Sequence, residues 1–579
     1  MEEKRTAGRA IVEVLHAEGV RHVFGLPGGH VLSIYDGLYD SSQISHYLVR
    51  HEFTAAAMAA GYAQLTGEPG VCVVTAGPGC TNLLTAVAEA YVGCVPMVLF
   101  AGRGATATAQ RGASQEVATD QIFAPVTKWS VRVDRPDLVV PVVRRAFAEA
   151  RSGRPGPVLV DLPRDVLDGE VESAPYVPAG RAAHPSGDPS AIGAAAEALA
   201  AAERPLIVAG GGAMASGATD QVRALAERLA APVLTTLAGR GIIPDDHPLS
   251  LGGLGAHHTR LSQRLLLEAD VVLGLGGRFE EMETNWSPTA VPSSDAAYIQ
   301  VDIHAPEIGL SVPAQIGIVG DVSAVADQLL SALGTPTEDY ATAPRIAEAA
   351  AELADIEAEI ERDADGDGQP MHPFRPISAL RAALPRDATV AIDVGCLAQH
   401  MVGAHPYFKV YEPRSLIVPS SFYGMGFAAA AAPAARVAHP DRPAVCFVGD
   451  GSFQMVMNVL PVAAEYGLGV TWCVLNDNAL GSIRDTQVYR FSERVIGTEF
   501  EVQPDFAAIA QACGCHGERV EDAAGVDGSV ARALEANERG TPAVLDVLVA
   551  PERVLGTLEH FSFYPQEMID AARAKEPAR

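Results

Sequence analysis

Two apolar runs in this chain each stop abruptly in a cluster of glycine and acidic or amide residues: "VCFVGDGSFQ" (445–454) and "VTWCVLNDNALG" (470–481). No other feature restricts the fold as tightly. The segment reads as a strand (444–448), a returning helix (452–467) and a second strand (470–476). At 1.5 Å per residue such a helix covers about 22 Å, and strands of six or seven residues cover about 20–23 Å. The lengths match, so the two strands run parallel and both turns fall on one carboxyl edge of a sheet. In doubly wound sheets that edge binds ligands.

The same alternation runs through the chain. β-Branched runs such as 71–75, 95–100, 157–163, 205–212 and 270–277 are separated by alanine-rich stretches of helical period. This rhythm predicts an α/β fold with parallel sheets flanked by helices. A Pro/Gly/Ser-rich stretch (168–192) and an acidic amphipathic helix followed by "DADGDGQPMHP" (334–372) read as linkers between three domains of similar size. "DADGDG" matches the start of an EF-hand loop, but the twelfth position is Phe374 where a glutamate is needed, so a solvated linker is the better reading.

A formal charge of −29 over 579 residues argues against a nucleic-acid or anionic-membrane partner, since nothing concentrates positive charge. It leaves room for a phosphorylated ligand held by backbone N–H groups and a metal ion. The eight cysteines lie mostly in apolar runs and read as core residues, and "CGCH" (513–516) lacks the second ligand pair of a zinc site. The first twenty residues are charged and then helical in pattern, without the apolar core of a signal peptide. No apolar run reaches the roughly 18 residues of a membrane helix, so a cytoplasmic protein is expected.

The acidic turns suggest their own chemistry. Gly449 and Gly451 allow close approach of a ligand, and Ser452 opens a helix whose N–H groups favour an anion. Asp450 and Asp477, 27 positions apart, can supply oxygens to a small hard cation such as Mg²⁺. The unit predicts a metal–diphosphate clamp.

Gly-Asp-Gly followed at this interval by an Asn-rich turn resembles the thiamine diphosphate signature. The flanking segments resemble the acetolactate synthase branch of that superfamily. "FGLPGGHVLSIYDGL", "RHEFTAAAMAAGYAQLTGEPG", "TAGPGCTNLLTAVAEAYVGCVPMV", "GRPGPVLVDLPRDV", "GGRFEE", "VDIHAPEIG" and "GMGF" fall in the family's order over nearly the whole chain. The resemblance implies a pyrimidine-binding domain (1–175), a middle domain (190–335) and a diphosphate-binding domain (370–579). The outer two would share one fold, and active sites would lie between the chains of a homodimer or homotetramer.

By position, the resemblance implies that Glu52 is the catalytic glutamate acting on the cofactor's aminopyrimidine ring, with Pro78 and Asn82 on a nearby turn. Met425 would wedge beneath the cofactor, and Gly395 would lie along it. Asp450, Asp477 and the Ala479 carbonyl would hold Mg²⁺, and Gln115 would face the substrate. The middle-domain segments carrying Gly211, Gly212, Arg278 and Asp321 bind FAD in acetolactate synthases and pyruvate oxidases, while many relatives keep the domain without flavin. FAD stays open.

Departures cluster at the substrate end. Thr486 stands where biosynthetic acetolactate synthases carry tryptophan, Ser114 replaces a phenylalanine, Met282 an arginine, and His30 a small residue. Arg484 and His30 are candidates to recognise a carboxylate or relay a proton. The implied reaction is decarboxylation of a 2-oxo acid, pyruvate by default, with transfer of the acyl-type fragment to a second carbonyl compound. The rivals are a decarboxylase releasing an aldehyde and a flavin-dependent oxidase.

Overall fold

A computed structural model describes residues 4–551, apart from 173, 174, 182, 256, 257, 285, 286, 335–338, 367, 404 and the side chain of Tyr489. Twenty strands are found among the described residues. β1 (Lys4–Thr6) and β8 (Glu170–Glu172) pair antiparallel as a small ribbon. The stretch expected to be only a linker thus begins with a strand that ties back to the start of the chain.

The other strands form three six-stranded parallel sheets. The first contains β2 (His22–Leu26), β3 (Ser45–Leu48), β4 (Gly70–Val74), β5 (Met97–Arg103), β6 (Trp129–Arg132) and β7 (Pro157–Pro163). The second contains β9 (Pro205–Ala209), β10 (Val233–Thr235), β11 (Ser250–Gly253), β12 (Val271–Leu275), β13 (Ala297–Asp302) and β14 (Ile316–Val319). The third contains β15 (Thr389–Ile392), β16 (Leu416–Ile417), β17 (Ala444–Gly449), β18 (Val470–Asn476), β19 (His516–Val520) and β20 (Ala543–Leu548).

Spatial order distinguishes them. Counting strands within each sheet along the chain, the two outer sheets both run 2-1-3-4-6-5, and the middle sheet runs 3-2-1-4-5-6. The last is the dinucleotide-binding order. The order in which successive strands are added reverses at β2/β4, β9/β12 and β15/β17, which pair in parallel. Ligands bind at the carboxyl ends of such pairs.

β17 and β18 are apolar almost throughout because helices cover both faces of the sheet, and every residue of β18 is buried. They pair in register from Ala444–Val470 to Gly449–Leu475, so the two acidic turns do leave the same edge. The helix between them differs from expectation. It is split into Asp450–Gln454 and Val459–Glu465, joined by turns with i→i+3 bonds such as Val459 N–H to Val456 O at 2.9 Å. Pro461 explains the break, because its ring cannot tolerate a helical carbonyl four residues back.

One core spans the outer sheets. The helix Glu52–Thr66 is lined by buried Ala55, Ala56, Ala59 and Ala60 and packs on the helices Phe427–Ala431 and Ala434–Ala438. Gly61 permits this approach: a Cβ there would meet the Ala431 Cβ at 3.1 Å and Ile417 Cδ1 at 3.2 Å. Buried Trp472 donates its Nε1–H to Ala429 O at 3.0 Å. The middle sheet is tied on by Arg240, which is ion-paired with buried Asp245 and donates to Val402 O at 3.0 Å. Among the described residues no helix is long and apolar enough to cross a membrane.

Candidate active site

Asp450 opens its short helix directly at the end of β17 and is 1% exposed. Its Oδ2 accepts from Gln503 Nε2 at 2.6 Å, and the same amide donates to Asn476 Oδ1 at 3.0 Å. Burial, with the Asp477 carboxylate close by, pushes the Asp450 carboxyl up to about 7. Burial also raises Asp477, against the pull of Arg484. Two buried carboxylates, one opposing the ionisation of the other, form a site that a cation would relieve, and this donor set fits Mg²⁺. Ala479 lies beside them: its carbonyl oxygen is 3.7 Å from where a Cβ on Gly451 would be. That Cβ would also meet Leu480 Cδ2 at 2.6 Å, so the Leu480 side chain packs closely over Gly451.

Other glycines answer the question of fit. A Cβ on Gly449 or on Gly395 (φ +104°) would meet nothing within 4 Å. Both edge the β15/β17 switch point and leave a cradle open in front of the carboxylates. Ser452 is buried and hydrogen-bonds the Asp393 carboxylate, whose oxygens accept from Gly426 N at 2.9 Å and Ala429 N at 3.0 Å. With only five residues, the Asp450 helix offers a smaller dipole than the sixteen-residue helix expected from sequence.

Met425 is half-buried in the turn before Gly426 (φ +81°). Its segment is held from the first domain by Glu89, a buried acid on the helix Leu84–Val92. Glu89 accepts from Ser420 N and Oγ with one oxygen, and from Gly424 N at 2.8 Å with the other. Sequence reasoning missed Glu89, Asp393 and Gln503. A lone acid amid buried apolar positions of "LTAVAEAYV" was the signal for the first.

The other half sits at β2/β4. Glu52 is 7% exposed at the start of its helix, and its Oε2 accepts from Asn82 Nδ2 at 2.9 Å. Its Oε1 lies 3.5 Å from where a Cβ on Gly79 would be, and Thr75 Cγ2 lies 2.9 Å from the same point. Thr75 Oγ1 is 3.2 Å from His30 Nδ1, so His30 joins this group. Burial, with Arg164 nearby, pushes His30 below its ordinary range, which makes it neutral at pH 7. Gln115 (φ +61°) is exposed and packs its backbone and Cβ against Gly77, one residue before exposed Pro78. Among the described residues, no hydrogen bond joins Glu52 to Asp450 or Asp477.

Arg484 does not reach toward a substrate. It is 2% exposed and pairs with Asp477 at 2.7 Å and Asp485 at 2.9 Å, so the expectation that it recognises a carboxylate ligand is corrected. Thr486 donates to Ser482 O at 2.8 Å within the helix Gly481–Arg490. Ser114 is exposed, and Met282 is half-buried.

The middle-sheet residues already have structural work. Cβ atoms on Gly210 and Gly212 would fall 2.4–2.7 Å from the Gly276–Gly277 backbone, so these glycines let two turns cross. Gly211 packs on Ala238. Arg278 donates to Val92 O at 3.0 Å and pairs with Glu280. Asp321 caps the helix Val322–Ala332.

Known proteins agree with this architecture. Family models for the thiamine pyrophosphate enzymes match in order: the N-terminal TPP binding domain at 5–123, the central domain at 192–329 and the C-terminal TPP binding domain at 393–547. The chain is 36% identical to a probable acetolactate synthase large subunit of Methanocaldococcus jannaschii, covering 94% of this chain and 92% of that one. It is 35% identical to the acetolactate synthase isozyme 3 large subunit of Escherichia coli (94% and 95% covered). With the acetolactate synthase large subunit of Corynebacterium glutamicum it also shares 35% (95% and 88% covered). With two sheets of one order in the two segments that match TPP binding domains, and this likeness along nearly its whole length, the chain belongs to the thiamine diphosphate-dependent enzymes of the acetolactate synthase family.

Proposed function

We propose that the chain is a thiamine diphosphate- and Mg²⁺-dependent carboligase that decarboxylates a 2-oxo acid, pyruvate by default, and passes the acyl-type fragment to a second carbonyl compound. The observation that carries the reading is the buried Asp450–Asp477 pair beside the open Gly449/Gly395 cradle, on a sheet whose strand order repeats that of the Glu52 sheet. When bound, thiamine diphosphate supplies the carbon centre that takes up a 2-oxo acid and allows loss of CO₂. Asp450, Asp477 and the Ala479 carbonyl would hold the cation that neutralises the diphosphate. Gly449, Gly451 and Ser452 would leave room for the diphosphate and line it with N–H groups, and Gly395 would border the ring system above Met425.

Glu52 is the proton-handling carboxylate for the aminopyrimidine end, oriented by Asn82 at 2.9 Å, with Pro78 on the same turn. Gln115 and His30 border the space where substrate enters. Neutral His30, near Thr75, can donate or accept a proton there, which favours aldehyde release as the second reading. The units are 1–175 (pyrimidine), 190–335 (middle) and 370–579 (diphosphate). A flavin held along the middle sheet by the segments of Gly211, Gly212, Arg278 and Asp321 is the further cofactor that this reading allows.

We assign complete sites to a homo-oligomer in which Glu52 of one chain faces Asp450 of another. Support comes from exposed apolar Phe422, Met455 and Ile483 around the diphosphate half. Several relatives are named large subunits, which supports assembly with further chains. The test is product analysis with thiamine diphosphate, Mg²⁺ and pyruvate. CO₂ with a 2-hydroxy-2-methyl-3-oxo acid, lost in Glu52→Ala, supports carboligation. CO₂ with acetaldehyde moves the answer to a decarboxylase. No turnover of pyruvate with cofactor bound moves the donor to another 2-oxo acid.

A further inference from the structure

The cation site carries a second layer that the reaction itself does not require. Asp477 Oδ2 accepts from Arg484 Nη2 at 2.7 Å, and Arg484 Nε donates to Asp485 Oδ1 at 2.9 Å. The three side chains are only 3%, 3% and 1% exposed. Gly481 makes the arrangement possible, because a Cβ there would sit 2.9 Å from Asp477 Oδ2 and 3.6 Å from Arg484 Nη2.

We propose that Arg484, backed by Asp485, is a positioning residue that makes the Asp477 carboxylate a one-oxygen ligand and so sets the site for Mg²⁺ over Ca²⁺. The inference rests on the reading of Asp450 and Asp477 as cation ligands. A free carboxylate can offer both oxygens to one ion, and Ca²⁺, with six to eight ligands at about 2.3–2.6 Å, accepts that. Mg²⁺ demands near-octahedral geometry at about 2.0–2.1 Å, and a two-oxygen bite is too narrow for it. With Oδ2 turned to the guanidinium, a symmetric two-oxygen grip is disfavoured and Oδ1 is the better donor. Asp477 then acts as a single-oxygen donor, as an amide would. The planar fork of arginine can bridge two carboxylates at once, so Asp485 fixes the guanidinium and the guanidinium fixes Asp477.

The test is calorimetric titration of the full-length protein, saturated with thiamine diphosphate, with Mg²⁺ and separately with Ca²⁺. Arg484→Gln/Asp485→Asn removes one positive and one negative charge together, so net charge is unchanged and only the tether is lost. The expected result is an Mg²⁺ affinity lower by about tenfold, with Ca²⁺ affinity held or raised. Arg484→Lys keeps the charge but lacks the fork and gives a smaller shift in the same direction, which covers the case in which the double variant fails to fold. Parallel loss of both ions, or an unchanged Mg²⁺-to-Ca²⁺ ratio in the folded variants, overturns the proposal. Asp450→Asn separates the two layers: if it leaves both affinities intact, the cation reading itself fails, not the tether.

Discussion

Gly449 and Gly451 stand two residues apart and do different jobs, which the sequence could not separate. Gly451 is crowded by the protein itself, since a methyl there makes the Leu480 side chain give way. Gly449 adopts an ordinary extended conformation (φ −74°) and faces open space, so the protein alone does not need it. Gly449→Ala is therefore expected to leave stability without cofactor within about 0.5 kcal/mol. A methyl forced against the bound cofactor costs about 1–3 kcal/mol, or roughly five- to hundredfold in thiamine diphosphate affinity. Thermal unfolding with and without cofactor checks both parts. Spacing and residue type pointed to Asp450 and Asp477, whereas Glu52 was named only by the family resemblance. Arg484 was misread because a lone arginine near a site looks like a substrate ligand until its two buried carboxylate partners are seen.

At the scale of elements, the helix Leu84–Val92 reaches across to the turn carrying Met425 through Glu89. Glu89→Gln replaces an acceptor with a donor against a backbone N–H, and a loss of about 1–3 kcal/mol is expected near pH 5. Burial holds the Glu89 carboxyl above its ordinary range despite its three donors. The folded state therefore keeps its proton where the unfolded chain has lost it, and this contribution to stability is lost as pH rises past the ordinary carboxyl range of about 4.3. The margin of the parent protein over Glu89→Gln should narrow as pH rises, measured by denaturant unfolding across pH. Hydrogen exchange should show residues 420–426 loosened in the variant. The alanine-rich face of Glu52–Thr66 gives a second test. Gly61→Leu must displace Ala431 and Ile417 and is expected to cost about 1–3 kcal/mol by chemical unfolding. Strands were legible because buried parallel strands are continuous apolar runs, and β7 and β18 begin and end where the sequence pattern does. The split helix was not, because Pro461 lies inside an otherwise unbroken helical period.

The whole molecule repeats one strand order at its two ends, and the proposed cofactor site draws one half from each switch point. Local pattern hinted at that repeat, but the order 2-1-3-4-6-5 depends on which strands become neighbours, and that is settled by long-range packing. The Gly-rich middle sheet shows the opposite limit. Its order is that of a dinucleotide binder, yet its glycines are used where backbones cross, a contact no periodicity reveals. The central claim is that the Glu52 half and the Asp450 half complete one site only between chains. Mixing Glu52→Gln with Asp450→Asn, each inactive alone, tests it directly. If sites form between chains, a mixed dimer has one site free of both substitutions, and an equal random mixture recovers about a quarter of the parent activity. If both halves belong to one chain, every site in the mixture carries a defect. Activity no higher than that of the separate variants, with chain exchange shown by mass, would contradict the account.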